Sequence, residues 1–326
     1  MDFLPTATAD ALRFRAKCLN AVRRFFDERG YVEVDTPLMS RDIVVDAYLD
    51  PLVVPHAHAG TDFYLQTSPE FGMKRLLCGG LRAIYQLSHV FRNAERGTNH
   101  NPEFTMVEWY RTGDEYLAQM QVVEDLLHAV GQLTAAPRGF PRPFVRTTYR
   151  QAFERFLGFN PFQIEMRDLR NVATERDIVP PPSLNPEDRD GWLNLLLACC
   201  VEPHLGRDVP EFLYDYPASQ SALARTKHTP DPVAERFELY CDGIELCNGY
   251  HELLDAVELR RRNETQLALR RTEGLSHLPT ESRLLEAMEH GLPPCAGVAL
   301  GFDRLVMVLG GYSAIDQVIP FPIERA

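Results

Sequence analysis

Between positions 10 and 29, apolar residues fall at Leu12, Ala16, Leu19, Val22 and Phe26. That spacing lays one stripe along a helix, and Gly30 follows where a left-handed cap is expected. Residues 31–35 then alternate at period two and stop at Thr36-Pro37, so the helix feeds directly into a strand. A second helix is predicted from Ser68-Pro69-Glu70, because serine is a good N-cap and proline fits the first turn. Met73, Leu76 and Leu77 give it an inner face, and Gly79-Gly80 end it. Strands are expected over 82–92 and 103–111, joined by a polar loop, 93–102, that is long for a hairpin. Long loops between good strands often carry function.

Asp114 can cap the next helix, whose stripe is Leu117, Met120, Val123, Leu127 and Val130, and a proline-rich break follows at 137–143. From 148 to about 206 the pattern is mostly helical, interrupted by Pro180-Pro181-Pro182, and reads as an insertion. Strand signals return at 212–214 and 236–252, followed by a charged helix over 255–273 and a shorter one over 281–290. The segment 297–305 is an apolar strand running through Gly301 into a helix. Strands cluster without regular βαβ alternation, which predicts an α+β fold: a mainly antiparallel sheet flanked by helices, one domain over 1–326 with the insertion near 148–206.

Composition narrows the function classes. A chain of 326 residues, 45% apolar, can bury a substantial core. The net charge of -12 offers no basic footprint for a phosphate backbone and argues against a nucleic-acid partner. Seven scattered cysteines without C-x-x-C spacing read as reduced core thiols. Neither a leader pattern nor a run of about 18 apolar residues is present, so a soluble, cytoplasmic protein without a membrane partner is expected. His56 and His58 read as solvated loop residues, since two ligands at i, i+2 make a poor metal site. The runs Arg260-Arg261-Arg262 and Arg270-Arg271 read as exposed helix faces.

Three segments carry candidate chemistry. Period two places Phe104, Met106, Glu108 and Tyr110 on one face of the strand after the long loop, so a carboxylate and a phenol interrupt an apolar pattern. An unpaired buried glutamate costs several kcal/mol in rough terms, so Glu108 lines a pocket or meets a structural arginine. Near the C-terminus, Gly301 permits close approach of a ligand to the backbone, and Arg304 in the following helical turn can reach an anion. Between them, Glu245 and Glu252 flank Asn248-Gly249. A tight Asn-Gly hairpin would let the two carboxylates face each other and hold a divalent cation, or leave them as solvated charges.

In this order, Arg92, the two glutamates and Arg304 resemble the signature motifs of class II aminoacyl-tRNA synthetases. Residues 29–37 look like motif 1, 91–108 like motif 2 and 297–305 like motif 3. Arg92-Asn93, the run His100-Asn101-Pro102-Glu103-Phe104-Thr105-Met106 and Asn248-Gly249 are similar to the lysyl branch. The first helix lies at motif 1, leaving no place for the N-terminal OB-fold anticodon domain of lysyl enzymes. A lysyl-type core without that domain resembles the elongation factor P (R)-β-lysine ligase family.

The resemblance implies a ligase that adenylates (R)-β-lysine or lysine with ATP and Mg²⁺ and transfers it to a lysine side chain of elongation factor P. It implies Arg92, Glu245 and Arg304 as catalytic groups; Asn93, Ala94, Asn101, Leu246 and Gly301 beside the nucleotide with them; and Glu245 and Glu252 on Mg²⁺. Ser68, Pro69, Glu70, Glu108, Tyr110, Glu252 and Ala299 would surround the amino-acid substrate. A homodimer through motif 1 is also implied, with Val32 and Val34 near the interface. Two positions depart from the lysyl pattern: Ala94 stands where motif 2 has a glutamate near adenine, with Glu95 next, and Ala299 replaces a glycine of motif 3. An added methyl on a pocket strand can shift substrate preference by ~1–3 kcal/mol. A synthetase-like enzyme charging tRNA or another amine with α-lysine, and a non-catalytic amino-acid-binding regulator, are the competing readings.

Overall fold

The computed structural model describes residues 3–47, 49–133 and 140–326. It divides into two compact units, one of residues 1–139 with 252–326 and one of residues 140–251.

The first unit opens with α1 (Ala9–Asp27), capped by the Thr8 hydroxyl and packed through Cys18, Val22 and Phe26. Gly30 takes φ 73°, as its place after the helix predicts, and the chain passes into the short β1 (Val32–Glu33). Next come β2 (Met39–Ser40), β3 (Val53–His58) and β4 (Thr61–Leu65), which form a small antiparallel sheet in the order β2-β4-β3. His56 and His58 are exposed as expected, but they lie on β3, whose pairing with β4 begins at Val53 and Val54 and ends at His58 opposite Thr61. The helix α2 (Glu70–Cys78) precedes the hairpin of β5 (Ala83–Phe91) and β6 (Glu103–Thr112), and α3 (Tyr116–Gly131) follows. Asp114 does not cap α3: its carboxylate accepts from Gln119 Nε2 at 2.9 Å, and Glu115 takes the cap position. The buried face of α3 then starts at Tyr116 and leaves Leu117 exposed.

The second unit contains β7 (Val145–Thr148), α4 (Tyr149–Leu157), α5 (Met166–Glu175), α6 (Arg189–Leu196), β8 (Glu211–Pro217), β9 (Thr226–Lys227), β10 (Val233–Cys241) and β11 (Ile244–His251). Its core gathers Tyr149, Phe153, Leu169, Trp192, Leu196 and Tyr240. The proline-rich break at 137–143 begins outside the described residues, and its remainder leads into β7. The β10–β11 hairpin turns at Asp242-Gly243, with φ 53° and 76°, and not at Asn248-Gly249. Gly249 lies inside β11 for a packing reason: a Cβ there would sit 2.3 Å from the Phe237 ring on β10.

The first unit resumes with α7 (Ala256–Thr272), α8 (Arg283–Gly291), β12 (Cys295–Gly301) and α9 (Phe302–Gly310). Here β1 runs parallel to β5, while β5, β6 and β12 are successively antiparallel. Phe26 of α1 packs on Tyr85 and Trp109 on one side of these strands. The fold is α+β as predicted, with the antiparallel strands carrying the candidate site. One arginine run departs from expectation. Arg270 is only 1% exposed and donates to Asp46 O, Leu49 O, Asp50 Oδ1 and Ser276 O, so a guanidinium read as solvated ties Asp46, Leu49 and Asp50 together from within.

Candidate active site

Register fixes the lining. In rows across β5, β6 and β12, Ile84, Tyr110 and Gly297 align, as do Gln86, Glu108 and Ala299, and Ser88, Met106 and Gly301. Residues opposite one another share a face. Arg92 continues the same alternation just past β5, so the motif 2 arginine, Glu108, Tyr110 and the glycine strand occupy one side of one sheet.

On that side three carboxylates, Glu70, Glu108 and Glu252, are buried, each no more than 7% exposed. Glu108 accepts from Ser68 Oγ at 2.7 Å and from the Tyr110 hydroxyl at 2.5 Å, and no arginine pairs with it. Ser68 also accepts from the Glu70 amide at 3.0 Å, while Pro69 occupies the cap position of α2. One serine thus starts the helix and orients the pocket carboxylate. Lys74 was not anticipated from the sequence. Its Nζ lies 2.5 Å from Glu70 Oε1 and 2.5 Å from Glu252 Oε2. The available signal was its position four residues after Glu70, between the inner-face residues Met73 and Leu77.

Burial and the charge of Glu70 push the Glu108 carboxyl up to about 7. Burial also raises Glu252, with Lys74 opposing that rise. The Tyr110 phenol is driven well above its usual range by burial and by Glu108. Gly297 is required here by contact: a Cβ would meet the Tyr110 ring at 2.2 Å and Glu252 Oε1 at 2.9 Å. Ala299, which sits beside Glu108 in register, is half-buried.

The candidate phosphate groups lie around the 93–102 loop. The Arg92 side chain passes over the Phe104 ring at 5.1 Å, and its Nη1 is 3.6 Å from Glu95. Ala94 adopts φ 59°, and Glu95, not the residue at 94, supplies the carboxylate beside Arg92. Asn93 is tied to Asp50 through its amide at 2.8 Å and its side chain at 2.9 Å, and Asp50 in turn receives Arg270. Asn101 is buried, with Nδ2 donating to Glu103 O at 2.6 Å and Oδ1 accepting from Ile323 N at 3.0 Å. Arg96 clamps the loop through Asp316 and Glu324. Arg304, in the first turn of α9 after Gly301, donates to Asn99 O and lies 2.6 Å from His100 Nε2. Burial and the Arg304 charge depress the His100 pKa. Asp303 beside it receives the Thr105 amide at 2.7 Å and pairs with Arg15, which fixes α9 against β6. Sequence reasoning missed Arg15, Asp50 and Arg270, whose partners lie far away along the chain.

In the second unit, Glu245 is half-buried opposite Tyr240, and Leu246 is the extra residue of a β-bulge, since Leu239 pairs with Cys247 and Tyr240 with Glu245. The bulge puts Glu245 on the face of Asn248 and Tyr250. Of the two residues expected on Mg²⁺, Glu252 has one carboxylate oxygen held by the Lys74 ammonium. Among the described residues, no group of three or more His, Cys, Asp or Glu side chains is arranged to hold a metal.

A buried carboxylate pocket on the antiparallel face, flanked by the motif 2 arginine and the glycine strand leading to Arg304, defines a class II synthetase type of catalytic core. The family of class II tRNA synthetases (D, K and N) matches residues 1–325. The elongation factor P–(R)-β-lysine ligase of Edwardsiella ictaluri is 45% identical over 326 residues, covering 99% of this chain and 98% of the relative. That of Vibrio cholerae is 45% identical over 332 residues, covering 100% and 99%, and that of Yersinia enterocolitica 44% over 326 residues, covering 99% and 98%. The chain belongs to the class II synthetase family and, within it, to the family of these elongation factor P–(R)-β-lysine ligases.

Proposed function

We propose that the protein activates (R)-β-lysine or lysine with ATP and transfers it to a lysine side chain of elongation factor P. The single observation that carries this reading is the pocket in which three buried carboxylates face a single buried lysine. Burying anionic groups without compensation is costly, and a substrate bearing ammonium groups supplies the missing charge.

In the first half-reaction, a substrate carboxylate oxygen attacks the α-phosphorus of ATP and pyrophosphate departs. In the second, the acceptor amine attacks the carbonyl of the mixed anhydride, loses a proton and releases AMP. Arg92 offsets negative charge growing at the α-phosphate, and Arg304 reaches the distal phosphates from the first turn of α9. Glu70, Glu108, Tyr110 and Glu252 hold the ammonium groups, with Ser68 and Pro69 shaping the wall and Ala299 trimming the space beside Glu108. Asn93 and Asn101 order the nucleotide loop, with Glu95 taking the place of the residue at 94 beside Arg92. By resemblance, Glu245 and Leu246 are assigned to the nucleotide. Mg²⁺ would accompany ATP through Glu245 and the phosphates, neutralising phosphate charge. The exposed Val32, with the half-buried Val34 beside it, supports a homodimer through motif 1. The 148–206 segment is proposed as an insertion into one catalytic domain.

ATP–pyrophosphate exchange with α-lysine and (R)-β-lysine, followed by transfer of labelled product to purified elongation factor P or to tRNA, tests the proposal. Exchange with a lysine isomer and label on elongation factor P are expected. Label on tRNA alone would favour the α-lysine charging enzyme, and no exchange with any isomer would favour the regulator. Arg92→Ala should lower exchange turnover by ~10²–10³; near-normal turnover would remove Arg92 from the mechanism.

A further inference from the structure

Lys74 is 2% exposed, on the inner face of α2, and its ammonium bridges two carboxylates from different parts of the first unit. It also lies 5.9 Å from the Tyr110 ring centroid, on the side of the sheet that carries Glu108. Such a group is not surface decoration. An ammonium removed from water is retained only where carboxylates hold it, and those carboxylates are fixed in return.

The charge count gives this arrangement a meaning. When all three carboxylates are ionised, as bound ammonium groups would hold them, one lysine leaves two negative charges uncompensated. A lysine isomer brings two ammonium groups. We propose that Lys74 is a positioning residue for amino-acid recognition: it locks Glu70 and Glu252 in place and sets the pocket's uncompensated charge to match a diammonium substrate. The inference rests on the reading of the pocket as the amino-acid site and adds a residue that never touches the reacting atoms.

The groups facing Lys74 are Glu70 and Cys78 from α2, Glu108 and Tyr110 from β6, Glu252 just after β11, and Cys295 from β12. Burial opposes its charge, but Glu252 and Glu70 outweigh that and raise its pKa. Without Lys74, the buried Glu70 and Glu252 would repel each other, and protonation would be the relief. Amine affinity would then recover only at higher pH.

The test compares wild type, Lys74→Gln and Lys74→Arg. In Lys74→Gln, KM for the diamino acid should rise roughly 30-fold or more while KM for ATP stays within about threefold. The rise of amino-acid affinity with pH should move to higher pH in Lys74→Gln and return to the wild-type position in Lys74→Arg. Equal losses for ATP and amino acid, or an unmoved pH profile, would overturn the proposal. Two ligand-free measurements stand apart from substrate identity. In wild type, the ¹⁵Nζ resonance of Lys74 should report a charged ammonium throughout the neutral range; a neutral amine there sinks the idea even if Lys74→Gln does not fold. In Lys74→Gln, ¹³C-labelled glutamate carboxyls should titrate higher than in wild type; unchanged titration counts against the proposal. Shifted carboxyl titration in a protein that binds no lysine isomer would refute the substrate reading while upholding the hold of Lys74 on Glu70 and Glu252.

Discussion

Glu108 shows how much one position can disclose. Period two placed it with Tyr110 on the lined face, and the structure puts Ser68 and Tyr110 on its two oxygens. What the pattern could not supply is the pKa, which depends first on burial and then on Glu70, a residue brought close only by folding. Its carboxyl is raised to about 7, so ionising it is harder in the folded chain than in the unfolded one. In the ligand-free protein its stabilising share is therefore full below the ordinary carboxylate range and fades as pH rises through about 7. Substrate binding follows the opposite sign, because an ammonium group needs the ionised form. KM for the diamino acid should fall about tenfold between about pH 6 and about pH 8. In Glu108→Gln the dependence should be shallower, leaving the part due to Glu252. Steady-state exchange kinetics across that range check it, and an unchanged slope would remove Glu108 from ammonium binding.

At the scale of elements, α1, α2, β5, β6 and β12 followed from periodicity, the small sheet β2-β4-β3 did not, and two further departures have local causes. Asn248-Gly249 carries a strong turn signal, yet the space needed by Phe237 put that glycine inside β11, and Asp242-Gly243 turned the hairpin instead. Arg270 belongs to an arginine-rich stretch that looks solvated, but α7 presents it inward, where it satisfies the carbonyls of Asp46 and Leu49. No sequence pattern links Arg270 to Asp50 and Asp50 to Asn93, because the contacts close loops spanning much of the chain. Arg270→Met should cost about 3–5 kcal/mol, since it strands Asp50 and the carbonyls of Asp46, Leu49 and Ser276 that a buried guanidinium had satisfied. Urea unfolding measures the loss; a shift below about 1 kcal/mol would mean that water replaces the guanidinium.

For the molecule as a whole, the family could be read from motif order because class II chemistry spreads its charged groups over separate strands. The second unit has its own aromatic core, and the sequence conveyed its helices without saying that β7 to β11 would gather with them. Among the described residues, no helix is long and apolar enough to cross a membrane. The net charge of -12 bears on the acceptor. Phosphate-backbone binding draws on clustered lysine and arginine, and the long-range field here opposes it. Filter binding at about physiological salt should therefore detect elongation factor P and little or no tRNA; tight, salt-sensitive tRNA retention would restore the charging enzyme.

The bulge at Leu246 has a consequence for how this chain tolerates change in length. Counted outward from the Asp242-Gly243 turn, β11 holds one residue more than its partner, and the surplus is absorbed at a single point. Beyond that point, alternation resumes with Asn248 and Tyr250 on the side of Glu245 and Cys247, Gly249 and His251 on the other. A one-residue deletion at the bulge would leave those allegiances intact. The same deletion in the regular stretch would invert every side chain after it, turning His251 out of its buried pairing with Glu235. The hairpin thus has one hinge point for length variation between otherwise inflexible runs, and related chains that differ by a residue here can keep the same face.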